Sequence, residues 1–69
     1  MEMIDFIKEK AKDERYSLRS LNEALNDKFD KETRYEVFYR KLKNQAAKYT
    51  EMEEIADLLG YEIVWKKKE

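Results

Sequence analysis

Apolar residues recur at intervals of three and four through a chain that holds one glycine and no proline. That spacing gathers them on one side of successive helices, and the near absence of chain breakers leaves little room for long loops. In the first segment Met3, Ile4, Ile7 and Ala11 share a stripe with Phe6 beside them, and lysines and acids fill the other face. A helix is therefore expected over about 2–14. Asp5 and Glu9 near its start, with Lys8 and Lys12 further along, suit the helix dipole.

A second helix is expected over about 17–27, with Ser17 as an N-cap whose hydroxyl accepts from the Ser20 amide. Leu18, Leu21, Leu25 and Phe29 form its buried stripe, and Asn26-Asp27 weaken it before a turn near 27–30. Thr33 precedes Glu36 in a capping-box arrangement that opens a third helix, about 33–45. Phe38 and Leu42 should point inward there, flanked by Val37 or Tyr35. Glu36, Tyr39, Arg40 and Lys43 then share the opposite face. Residues 44–48 either continue this helix or loop to the next. Thr50 and Glu53 form a further capping box for a fourth helix, about 50–59, whose Met52, Ile55, Ala56 and Leu59 face the core. Gly60 stands where a left-handed cap is expected.

The period then changes. Tyr61, Ile63 and Trp65 alternate with Glu62, Val64 and Lys66, and β-branched and aromatic residues dominate, which reads as a strand over about 61–66. A lone strand leaves its amides unpaired, and no other segment is strand-like. Pairing with a second copy across a two-fold axis is the expectation, with Tyr61, Ile63, Val64 and Trp65 at the homodimer interface. Lys66-Lys67-Lys68 forms a solvated tail.

Sixty-nine residues allow one domain with a small core, and without cysteine there is no disulfide or thiolate metal site to support it. The lack of cysteine fits a reducing cytoplasm, the expected location. No apolar run approaches the ~20 residues that span a bilayer, and no signal-peptide pattern opens the chain, so no membrane association is expected. Charged residues make up 45%, but a 42% hydrophobic fraction, regular apolar spacing and a net charge of −1 favour folding over disorder. With no histidine, no cysteine and only Ser17 and Ser20 as serines, nucleophile–base pairs and imidazole ligands are missing. The protein is not expected to be an enzyme, and no metal or cofactor is called for.

Three stretches carry a resemblance. They are Ser17-Leu18-Arg19-Ser20-Leu21-Asn22-Glu23-Ala24-Leu25, then Phe38-Tyr39-Arg40-Lys41-Leu42-Lys43, then Ile55-Ala56-Asp57-Leu58-Leu59-Gly60-Tyr61-Glu62-Ile63. In this order they make the chain resemble the small Cro/phage-repressor-like (Xre-type) helix-turn-helix proteins, above all short phage and mobile-element members that end in a strand. The resemblance implies a mainly α, compact four-helix helix-turn-helix domain over 1–69 with a short C-terminal β-strand. It also implies a dimeric, sequence-specific regulator of transcription whose helix matching 34–44 enters the major groove of double-stranded DNA. Two departures stand out. Leu25-Asn26-Asp27-Lys28-Phe29-Asp30-Lys31 is longer than the family's usual turn and lacks its glycine, and Asn44-Gln45 replaces the glycine often found after the recognition helix.

Charge is unevenly spread for such a role. Arg34, Arg40, Lys41, Lys43 and Lys48 meet only Glu36 between positions 34 and 48, whereas Glu51, Glu53, Glu54, Asp57 and Glu62 meet no base between 50 and 64. Positive charge is what displaces counterions condensed on a duplex. Arg40 is the candidate for a base edge, since guanidinium binds guanine O6 and N7 in a bidentate way. Arg34, Lys41, Lys43 and Lys48 are cast as phosphate contacts, with Ser17 and Arg19 as weaker ones. Tyr39 suits a phosphate, a thymine methyl or half-buried packing, and Glu36 shares its face. The same charges also suit ordinary solvated helix faces. An alternative function is a protein-binding module of phage or mobile-element origin, such as an inhibitor of a host defence protein; a low net charge and exposed tyrosines fit a protein partner. A self-associating structural protein is a third reading.

Overall fold

The computed structural model describes residues 1–68 and places four helices in sequence: α1 (Met3–Asp13), α2 (Leu18–Phe29), α3 (Tyr35–Lys43) and α4 (Tyr49–Leu59). The mainly helical expectation holds. The core takes Ile4, Ile7 and Ala11 from α1, Leu18, Leu21 and Leu25 from α2, Phe38 and Leu42 from α3, and Ile55 and Leu59 from α4. These are the residues at three- and four-residue spacing, and burying that stripe is the main drive for folding. α2 lies at the centre and packs on all three other helices, while α3 rests on α1 and α2.

Each helix stops in the same way. Arg15, Asp30, Gln45 and Gly60, evenly spaced along the chain, all have positive φ, at 66°, 54°, 54° and 82°. After each, the next amide reaches back across the last turn: Tyr16 N–H to the Ala11 carbonyl (2.8 Å), Lys31 to Asn26 (2.9 Å), Ala46 to Lys41 (2.8 Å) and Tyr61 to Ala56 (2.8 Å). This left-handed closure satisfies carbonyls that would otherwise lack donors. Only Gly60 performs it without a side chain, so the other three stops carry no glycine signal.

The helix starts differ from expectation in two cases. Ser17 and Ser20 cap α2 reciprocally, with the Ser20 amide donating to Ser17 Oγ (3.0 Å) and the Ser17 amide to Ser20 Oγ (2.9 Å). Thr33, however, does not cap α3; the N-cap is Arg34, with no side-chain cap. The backbone of Thr33 is held instead by Asn22 and Asn26 of α2. Asn26 therefore does not end its helix, which runs on to Phe29. Nor is Thr50 the cap of α4. That helix begins at Tyr49, and the Lys48 amide donates to Glu51 Oε1 (2.9 Å). Glu51 satisfies this donor and pairs with Lys41 of α3 as well, an advantage the Thr50 hydroxyl lacks.

The expected C-terminal strand is not found. Among the described residues there is no strand, and residues 61–68 have no regular structure. A single β-prone segment in a helical chain has no neighbour to complete a ladder. Two of its apolar side chains meet the helices instead: Tyr61 and Ile63 line an apolar groove with Phe6, Met52, Ala56 and Leu59.

Candidate functional site

α3 is short and two-sided. Phe38 and Leu42 are buried beneath it, and four residues that share its outer face, Glu36, Tyr39, Arg40 and Lys43, line an open concavity with Tyr35. Arg40 and Lys43 are exposed and make no ion pair among the described residues. Tyr39 is half-buried, its ring 6.0 Å from that of Tyr35 and tilted by 50° to it. Four of the seven candidate nucleic-acid residues thus come together on one surface.

The other three do not join them. Lys41 points to the opposite side of α3, where its Nζ lies 3.0 Å from Glu51 Oε2. The ion pair therefore sets Lys41 apart from Arg40 and Lys43, off the outer face. Arg34 and Lys48 are exposed N-caps of α3 and α4, and neither lines the concavity.

The acids of α4 are largely occupied within the fold. Glu51 pairs with Lys41, Glu54 with Lys31, and Asp57 with Lys28 at 2.9 Å. Burial by itself pushes the Glu51 carboxyl up, but the Lys48 amide and the ammonium groups of Lys41 and Lys31 outweigh it and hold the group below the ordinary glutamate range. Three acids of the stretch from 50 to 64 are thus held by Lys28, Lys31 and Lys41, of which only Lys41 belongs to the basic stretch before it. Arg40 and Lys43 take no part in these pairs.

A second concavity, about 560 Å³, adjoins the first and is lined by Lys8, Lys12, Tyr16, Arg19, Tyr35 and Tyr39 together with Ser17 and Leu18. Arg19 stacks on Tyr35, its guanidinium carbon 4.1 Å from the ring centroid. Lys8, Lys12 and Tyr16 were not singled out by sequence. The available signal was the four-residue spacing of Lys8 and Lys12 on the polar face of α1, which fits the helix dipole equally well.

The candidate dimer residues Tyr61, Ile63, Val64 and Trp65 are all exposed, Val64 at 74% and Trp65 at 85%. Trp65 Nε1 reaches the Tyr49 hydroxyl at 3.4 Å, and the Lys10 ammonium lies 5.6 Å from the Tyr61 ring centroid. The groove that Tyr61 and Ile63 line has a volume of about 380 Å³. Among the described residues no helix is long and apolar enough to cross a membrane.

Compared with models of known families, with curated proteins and with solved structures, the chain matches none.

Proposed function

We propose that the protein is a small, non-catalytic DNA-binding regulator in which α2 and α3 act as a helix-turn-helix and the outer face of α3 enters the major groove of duplex DNA. One observation carries this reading: Arg40 and Lys43 share an open, exposed face with Tyr39 and Glu36, while Lys41, between them in sequence, is turned inward to Glu51. Intrachain pairing spares the two bases that a groove-bound helix would use. In this arrangement Arg40 reads a base edge, Lys43 meets phosphate, and Tyr39 contacts a sugar, a phosphate or a thymine methyl. The likeness of residues 17–25, 38–43 and 55–63 to Cro/repressor-type proteins supports the same reading.

A homodimer belongs to this proposal. Val64 and Trp65 leave a large apolar surface in water at the end of an unpaired segment, and a second copy would cover it. Two copies would then present two α3 helices to two half-sites. The same exposed segment also favours the second reading, a module that docks on another protein.

Selection from a random duplex pool, followed by binding across a range of salt, separates the two. DNA as ligand gives an enriched sequence and affinity that falls steeply as salt rises. No retained duplex at low salt points to a protein partner.

A further inference from the structure

We propose that the concavity between α1, the start of α2 and α3 is a separate phosphate-binding cleft, which grips one backbone of the duplex while the face bearing Arg40 and Lys43 engages the groove. This inference rests on the DNA-binding reading above and extends it to residues outside the reading helix. Lys8, Lys12 and Arg19 converge on this cleft from two helices, and no acid lines it. None of the three has an ion-pair partner among the described residues.

The tyrosines make the arrangement directional. Tyr35 and Tyr39 line both concavities and so form the ridge between them. On one side of that ridge stand Lys8, Lys12 and Arg19; on the other stand Arg40 and Lys43. A duplex groove has a corresponding cross-section, a floor of base edges about 12 Å wide with a phosphate backbone along each wall. A ridge seated in the groove brings the α1–α2 cleft against one wall. Stacking on Tyr35 restrains the Arg19 side chain before any ligand arrives, which lowers the ordering cost of a phosphate contact. The two lysines act as mobile point charges beside it.

Phosphate contacts position a protein and carry no sequence information, so this cleft affects salt dependence and not base preference. The test uses a fluorescent duplex recovered by selection with the wild-type protein, with affinity measured at several salt concentrations. The double variant Lys8→Gln/Lys12→Gln should make the slope of log affinity against log salt shallower by about 2, and Arg19→Gln by about 1. Arg19→Lys should retain most of the slope but bind more weakly, because it keeps the charge and loses the fork. Repeated selection with each variant should return the same sequence. An unchanged slope, with the wild type still binding its duplex, overturns the cleft and leaves the DNA-binding reading intact. A changed base preference overturns its assignment to phosphate. Failure of the wild-type protein to retain any duplex removes the reading itself, and the cleft with it.

Discussion

Asn26 holds Thr33 by both its backbone amide and its backbone carbonyl. The Asn26 Oδ1 accepts from the Thr33 amide at 3.0 Å, and its Nδ2 donates to the Thr33 carbonyl at 2.8 Å. Asn22, one turn earlier on α2 and buried, donates to the same carbonyl at 2.9 Å. The connection between α2 and α3 is thus tied to α2 itself just before α3 begins. This clamp sets the direction in which α3 leaves the connection, and so where Arg40 and Lys43 face.

Asn26→Ala leaves the Thr33 amide without its partner, while the carbonyl keeps Asn22. A loss of about 1–3 kcal/mol is expected for an unsatisfied, partly buried donor. Urea denaturation measures it. A change of only a few tenths of a kcal/mol would show that water replaces the amide readily and that the clamp does not orient α3.

The left-handed helix stops give predictions of opposite sign. Arg15→Gly and Gln45→Gly should each stabilise the fold by about 0.5–1 kcal/mol, because a side chain at positive φ is strained and glycine is not. Gly60→Ala should destabilise by about 1 kcal/mol. A β-carbon at Gly60 meets nothing within 4 Å, so that cost is purely conformational. Thermal or urea unfolding of the three variants decides the matter.

Acid should weaken the contact between α3 and α4. The Glu51 carboxyl titrates lower in the folded state than in the unfolded one. Its contribution is therefore complete above the unfolded-state value of about 4.3 and disappears as pH falls through the lower folded value. Below about pH 4.3 the urea midpoint of the wild type should decline more steeply than that of Glu51→Gln. Parallel declines would show that Lys41 and the Lys48 amide do not stabilise the ionised carboxylate.

Much of the helical architecture is legible in the residues, because apolar spacing reports burial directly. The stripes through Ile4, Ile7 and Ala11, through Leu18, Leu21 and Leu25, and through Phe38 and Leu42 are all buried. Helix ends are less legible. Thr33 and Thr50 have the right spacing for caps, but Asn26 takes the backbone of Thr33 and Glu51 takes the donor before Thr50. Local chemistry cannot anticipate a competing partner seven residues away, or one that is itself fixed by Lys41. The strand fails for a related reason: residues 61–66 have β-forming composition, but pairing is non-local and no second strand forms among the described residues. At the candidate site, α3 periodicity correctly groups Glu36, Tyr39, Arg40 and Lys43. It does not reveal that Lys8 and Lys12 arrive beside Arg19, which depends on how α1 packs.

Exposed apolar residues at the C-terminal segment should drive self-association. Light scattering at micromolar concentration is expected to report a dimer, and Val64→Ser with Trp65→Ser should convert it to monomer without unfolding the helices. A monomeric wild type would remove the dimer from the proposal.

The adjacent residues Arg40 and Lys41 provide the most direct test of DNA binding by the outer face of α3, since one is free on that face and the other is turned to Glu51. Affinity for the selected duplex should fall by about 1–3 kcal/mol in Arg40→Ala, with relaxed preference at one base pair. Lys41→Ala should leave affinity and preference nearly unchanged. Equal losses from both substitutions, or no loss from Arg40→Ala, would contradict the reading of α3 as the helix in the groove.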